Sequence, residues 1–538
     1  MLRLCLVLMI GSGATLLSAS PWQTAAPKAG IRVVQSAARC EGLKALRVPG
    51  ATAVVAELVP AGPSPDVVAE SIKGAPPPDA RARMFAVQRT SIAAEHCRVT
   101  ALLKPTADSE IGIEVWLPVA GWNGKFQMVG NGGWGGRLSY GPMREALNAG
   151  YATAATDTGH KGDGAQFALG HPEKLVDFAY RAVHATALAS KAIIAGFYGV
   201  APKYSYFNGC STGGRQGLMA AQRYPEDFDG IIAGAPAINL TRLSAWRLSV
   251  EANILRGAVS VVPQAKLRLV TEASLNACDA LDGVTDDILS DPTQCRFDPS
   301  TLLCSGAEIA DCLTAPQVAA VKSGYAPATS KTGDVIFPGL VPGYEFMWMM
   351  LTGKNAEPGG SNNVDLFKYA VYQDPNWDWR TFDIERDVAK ADREIGYVNA
   401  NSPDLSAFKA RGGKLIIYHG WNDGGNEGAI SPLNSVEYYS SILERMGSDQ
   451  GDWLRLFMMP GVAHCGLGPG PDQVDFIAAL ERWRESGLSP TSVLATRVQP
   501  PPSTRVYMTR PLCPYPQVAV YSGVGSTRDA GNFTCRVQ

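Results

Sequence analysis

The stretch Tyr204 to Gly217, YSYFNGCSTGGRQG, leaves the backbone few paths. Its aromatic start reads as a buried strand, Gly209-Cys210-Ser211-Thr212-Gly213 as a sharp turn, and Leu218-Met219-Ala220-Ala221 as the helix that follows. A strand that reverses into a helix so abruptly strains the residue at the apex and presses backbone against backbone beside it, where only glycine fits. The spacing G-x-S-x-G puts Ser211 at that apex, with its hydroxyl raised at the sheet edge. The helix N-terminus behind it favours developing negative charge. A chain with 56 glycines can match such a pattern in an ordinary turn. Context argues otherwise, because Gly230-Ile231-Ile232-Ala233 follows as the next buried strand.

The same alternation extends in both directions. Strands are expected at 111–117, 125–129 and 151–156, a long helix at 177–198, further strands at 414–418 and 454–459, and an amphipathic helix at 472–484. This predicts an α/β fold, a mostly parallel sheet with helices on both faces. With the elbow it resembles an α/β-hydrolase. Between about 237 and 399 the alternation stops, and the segment holds four cysteines, an acidic cluster and Trp246, Trp348, Trp377 and Trp379. It reads as an inserted lid domain, leaving 21–236 and 400–538 as the two parts of a catalytic domain. The tryptophans are candidates for stacking on an aromatic or sugar group, or for plain core.

Residues 1–20 have the form of a secretory signal: Arg3, the apolar run Leu4 to Ile10, and small residues Ser18-Ala19-Ser20. The apolar run is too short to span a bilayer, and no later segment is long and apolar enough. A net charge of −2 gives no footprint for nucleic acid. Setting Cys5 aside, ten of the eleven cysteines remain, an even number that in an exported chain implies disulfides. About 900 pairings are open to ten cysteines, so spacing leaves the connectivity undecided. A zinc site is a poor alternative without a paired C-x-x-C.

A serine hydroxyl needs a base to take its proton, and the base needs a carboxylate to fix its tautomer. Of six histidines, only His464 follows the candidate acid Asp423, in the order Ser, Asp, His expected of this architecture. Both stand in loops after expected strands, so Ser211, Asp423 and His464 form the candidate triad. Backbone amides of Gly133, in the glycine-rich loop 130–136 after an early strand, and of Thr212 are the candidate oxyanion donors. Cys210 precedes the candidate nucleophile and Cys465 follows the candidate base. A bond between them would limit how far the two drift apart.

These features together resemble the tannase and feruloyl esterase family, which includes the hydrolase of mono(2-hydroxyethyl) terephthalate. The resemblance rests on GNGGWGG at 130–136, GCSTGGRQG at 209–217, GGKLIIYHGWND at 412–423 and PGVAHCG at 460–466, and covers nearly the whole mature chain. It implies disulfides Cys210–Cys465, Cys40–Cys97, Cys278–Cys295, Cys304–Cys312 and Cys513–Cys535. It also places His419 and Gly132 at the substrate pocket. The acidic run at 278–288 offers the hard oxygen ligands that calcium prefers, without EF-hand spacing. A solvated acidic loop is the plainer reading. The resemblance implies a structural calcium held by the side chains of Asp279, Asp282 and Asp286 and the carbonyls of Val284 and Ile288.

One departure is visible: Gly424-Gly425-Asn426-Glu427-Gly428-Ala429 intervenes before Ile430-Ser431-Pro432, where the family has a shorter link. The expected activity is that of a secreted or periplasmic serine esterase on aromatic-acid esters, feruloyl esters first, with gallate or terephthalate half-esters as alternatives. A binding protein on a hydrolase scaffold and a metal-dependent hydrolase using Asp279 to Asp286 are the rivals from other classes.

Overall fold

The computed structural model describes residues 29–62, 92, 94–257, 260–353, 362–424, 429–499 and 505–537. The signal expected at 1–20 lies outside them. In chain order the strands are β1 (Ala51–Val59), β2 (His96–Leu103), β3 (Ile111–Pro118), β4 (Lys125–Val129), β5 (Ala152–Thr156), β6 (Tyr204–Cys210) and β7 (Gly230–Gly234). A short ribbon, β8 (Ala328–Thr329) with β9 (Val335–Phe337), comes next, then β10 (Lys414–Gly420) and β11 (Leu454–Met459).

Nine of these form one sheet in the order β1-β2-β3-β5-β4-β6-β7-β10-β11. Pairings from β1 to β5 are antiparallel, and every pairing from β5 to β11 is parallel. This is an α/β-hydrolase sheet. Its parallel strands are apolar on both faces because both are covered. Ile231, Ala233, Leu415 and Ile417 point to one side, into a core shared with helices Ala182–Tyr198, Thr212–Arg223 and Pro432–Met446. The alternate residues Tyr206, Ile232, Ile416 and Phe457 point to the other, against helix Phe476–Ser486. The period-two pattern of each strand thus decides which helix it holds. Neither β1 nor β2 was expected from the sequence; they pair with each other at the sheet's antiparallel edge.

The chain leaves the sheet after β7 and returns at β10, its parallel neighbour. The intervening residues carry helices Leu240–Leu255, Gln264–Cys278, Ala315–Tyr325 and Ile384–Ile395. Trp246 and Trp348 sit in one apolar cluster of this insertion, with Val250, Leu267, Val321 and Phe337. Trp377 and Trp379 sit in a second, which also takes in Trp134 and Phe178. All four are core residues. The insertion therefore packs on the body of the fold through shared apolar surface. Arg215, fully buried on the elbow helix, adds a polar tie by donating to the carbonyls of Phe178, Ala179 and Val398.

Beyond β11 come a three-stranded antiparallel sheet, β12 (Gln473–Val474), β13 (Val493–Val498) and β14 (Val506–Leu512), and the pair β15 (Gln517–Tyr521) and β16 (Phe533–Val537). Val284 of the acidic loop is buried with Cys513, Ala519 and Phe533 of this C-terminal part.

Candidate active site

β6 ends at Cys210, and helix Thr212–Arg223 begins one residue after Ser211. Ser211 has φ 65° and ψ −123°, the strained apex expected of so short a reversal. Its N–H donates to the carbonyl of Gly234 at the end of β7, which fixes the turn to the neighbouring strand (2.9 Å). The flanking glycines are required by contact. A Cβ on Gly209 would stand 2.7 Å from the backbone of Gly213, and one on Gly130 would stand 2.6 Å from Gly213 Cα.

That close approach seats the loop 130–136 on the elbow. Gly213 N–H donates to the Asn131 carbonyl (2.8 Å), and Thr212 Oγ1 donates to the Gly133 carbonyl (2.6 Å). Asn131 and Gln216 complete the joint reciprocally: Gln216 Nε2 donates to Asn131 Oδ1, and Asn131 N–H donates to Gln216 Oε1 (both 3.1 Å). Asn131 Nδ2 also spans the carbonyls of Gly135, Arg137 and Thr156. Sequence reasoning missed this pair; its signal was polar residues inside two glycine-rich motifs where small residues were expected. Gly132 and Gly133 are exposed at the loop's tip, and Gly133 has φ 55°. Thr212, as the first helical residue, has an N–H with no acceptor inside the helix.

Asp423 follows β10 and His464 follows β11. The two loops run against each other so tightly that a side chain at Gly420 would collide with the Val462 carbonyl. His464 Nδ1 lies 2.6 Å from Asp423 Oδ2, which leaves Nε2 as the nitrogen for proton transfer. The same carboxylate oxygen accepts from His419 Nε2 (3.0 Å), and Oδ1 accepts the Ile430 N–H (3.2 Å). Burial alone would raise the Asp423 pKa, but the neighbouring His464 and His419 outweigh it and hold the carboxyl at about 2. His464 keeps 23% of its side chain exposed while Asp423 has none, so the imidazole can be reached from outside while the carboxylate is closed to water.

His419, expected at the pocket, is fully buried, with Nδ1 on Ser435 Oγ (2.7 Å) and Nε2 on Asp423.

Among the described residues five disulfides form: Cys40–Cys97, Cys210–Cys465, Cys278–Cys295, Cys304–Cys312 and Cys513–Cys535. Cys210–Cys465 joins the residue before Ser211 to the residue after His464, with Cα atoms 5.9 Å apart. Elbow and histidine loop are thereby tied covalently.

The family model described as tannase and feruloyl esterase matches residues 97–536. The chain belongs to the tannase and feruloyl esterase family. A relative in this family, an uncharacterized esterase of Xanthomonas campestris, is 39% identical over 493 residues, covering 82% of this chain and 84% of its own. The crystal structure of feruloyl esterase B from Aspergillus oryzae is similar with a TM-score of 0.82 at 30% identity, over 93% of this chain and all of that one. Tannin acyl hydrolase from Aspergillus niger shares the fold, with a TM-score of 0.73 at 21% identity over 93% and 94%. As a member of the tannase and feruloyl esterase family, the chain is a carboxylic ester hydrolase of that type. Among the described residues no helix is long and apolar enough to cross a membrane.

Asp279 Oδ1 and Asp286 Oδ1 of the acidic loop are buried with no hydrogen-bond partner among the described residues. Burial raises the pKa of both, and neighbouring carboxylates add to it, although Arg510 offsets part of this at Asp286. Asp282 spends both oxygens on the amides of Val284 and Ser290. Two free buried carboxylate oxygens among like charges fit a hard divalent ion. The loop also touches the histidine loop, since Ile288 packs at Gly461. A separate group, His184, Glu226 and Asp227, brings its ligand atoms within 4.8 Å of one another. There His184 Nδ1 already holds Asp227 (2.8 Å), and Lys191 Nζ donates to the carbonyls of Glu226 and Asp227. These hydrogen bonds already engage the group, which reads as a structural cluster.

Proposed function

We propose that the chain is an exported serine esterase that cleaves esters of aromatic carboxylic acids, feruloyl (hydroxycinnamoyl) esters first. The observation that carries this is the hydrogen-bonded Asp423–His464 pair, bridged through Cys465 and Cys210 to the strained Ser211. In this reading Ser211 Oγ attacks the ester carbonyl carbon and its proton passes to His464 Nε2. Asp423 stabilises the imidazolium, and the amides of Gly133 and Thr212 receive the tetrahedral oxyanion. The C–O bond to the alcohol then breaks as His464 returns the proton to the leaving oxygen. A water, deprotonated by the same nitrogen, releases the acid.

The insertion serves as a lid over the site, and the side chains of Asp279, Asp282 and Asp286 with the carbonyls of Val284 and Ile288 would hold a calcium ion that stiffens it. When bound, that ion neutralises the crowded carboxylates. Export is supported by the signal-like residues 1–20 and by five disulfides, which persist in oxidising compartments.

A panel of methyl ferulate, methyl gallate and mono(2-hydroxyethyl) terephthalate, run with the wild type and Ser211→Ala, tests this reading. Preferential turnover of methyl ferulate, lost in the variant, is expected. Preference for either other ester would reassign the acid class. Turnover that survives Ser211→Ala would refute the serine mechanism.

A further inference from the structure

The loop that follows the acid is longer here than in the family's motif, and the insertion holds it at both described ends. At its start, Gly424 lies flat against the Trp348 indole, so that any side chain there would collide with Trp348 Nε1. At its finish, Arg247 of helix Leu240–Leu255 points both Nε (2.6 Å) and Nη2 at the carbonyl of Ala429. The next residue, Ile430, donates its N–H to Asp423 Oδ1 (3.2 Å), and its carbonyl lies 3.2 Å from His419 Nε2. Ile430 is buried in the same apolar cluster as Trp246, the neighbour of Arg247. The positive charge of Arg247 also interacts with Asp423 and Glu251.

We infer that Arg247 is a positioning residue for the catalytic acid: by gripping the Ala429 carbonyl it holds the Ile430 amide on Asp423 and so sets the carboxylate that orients His464. The route runs through one peptide unit. If the Ala429 carbonyl is released, the Ile430 N–H attached to the same unit is free to turn away, and Asp423 loses the donor that fixes its plane. A buried carboxylate can then rotate between its two histidines, and His464 loses the orientation that proton transfer needs. The insertion thereby acts on the chemical step itself, in addition to covering the site. Of the charged side chains on that helix, Arg242 bonds Asp392. It serves as the control.

This inference rests on the proposed triad, and the test separates the two. Wild type, Arg247→Met, Arg247→Lys and Arg242→Met are compared with 4-nitrophenyl acetate, a small activated ester that needs little acyl recognition. Rates are expressed per site labelled by a fluorophosphonate, so unfolded protein is not counted. Loss of two charged donors should lower kcat of Arg247→Met about 10- to 100-fold with KM within about threefold. Lysine, which keeps the charge and a donor, should recover part of the loss, and Arg242→Met should stay within about twofold. The low-field proton resonance of the His464–Asp423 hydrogen bond should broaden or shift in Arg247→Met and stay in place in Arg242→Met. An unchanged kcat per labelled site with an unchanged resonance would overturn the inference while leaving the triad intact. A raised KM at constant kcat would overturn it in favour of a substrate contact. A wild type that neither labels nor turns over would overturn the triad and this inference with it.

Discussion

Replacing Asp423 with asparagine keeps the volume and removes the charge, and its effect can be worked from three hydrogen bonds. Asp423 Oδ2 faces two N–H groups, from His464 and His419, and Oδ1 faces a third from Ile430. An asparagine amide has one acceptor and one donor end, so in either orientation a donor is turned against a donor in a buried site. If the NH2 takes the Oδ2 position, His464 must present an unprotonated Nδ1, and its proton moves to Nε2, where it blocks the base. The lowering of the Asp423 pKa from 3.8 to about 2, after the opposing effect of burial, corresponds to a net preference for the charged form of about 2 kcal/mol, supplied by the histidines. That alone is roughly 30-fold, and the wrong tautomer extends the expected loss of kcat to about 10³- to 10⁴-fold with KM little changed. Because the folded pKa is depressed, Asp423 contributes stability above about pH 4 that is lost as pH falls toward 2. The asparagine variant should show a shallower loss over that window. Stopped-flow turnover with active-site titration, beside urea unfolding at pH 3 and pH 7, measures both. A variant within tenfold of wild-type kcat would refute the assignment of Asp423 as the acid.

The remaining expectations are independent of that one. The double variant Cys210→Ala/Cys465→Ala opens a loop of 255 residues, worth about 5 kcal/mol by chain entropy, so its urea midpoint and its activity should fall together. Free thiols at both positions in peptide maps of the oxidised wild type would remove the premise. Chelation with EDTA should lower the melting temperature, and added calcium should restore it. Full activity after calcium removal, with the fold retained, would exclude a metal-dependent hydrolase. Gly130→Ala places a methyl 2.6 Å from Gly213 Cα and should cost both folding yield and labelling of Ser211. Normal expression with normal labelling would contradict the close packing of the loop on the elbow.

The parts legible in the sequence were those written in local chemistry. Ser211, Asp423 and His464 each sit where a strand ends, and strands show themselves by alternation and apolar runs. Contacts that depend on how distant elements meet were not legible. His419 belongs to the strand that carries the acid, yet its partner Ser435 lies 16 residues on, on a helix whose rotation no pattern in the strand reveals. Asn131 and Gln216 are separated by 85 residues and meet only because Gly130 and Gly213 let two backbones touch. Ile288 beside Gly461 is of the same kind, which is why the acidic loop looked remote from the candidate triad until the fold placed it beside the histidine loop. β1 was hidden for a different reason: several of its side chains stay exposed at the sheet's edge, so no clean apolar face marks it.

The bond between Cys210 and Cys465 encloses the entire insertion, with β7, β10 and β11, in a single covalent ring. A protease that cuts once anywhere within that ring opens it without separating the pieces. A nicked molecule would run at full mass until reduced, with its serine and histidine still leashed to each other. This wiring turns surface damage to the insertion into a tolerable injury.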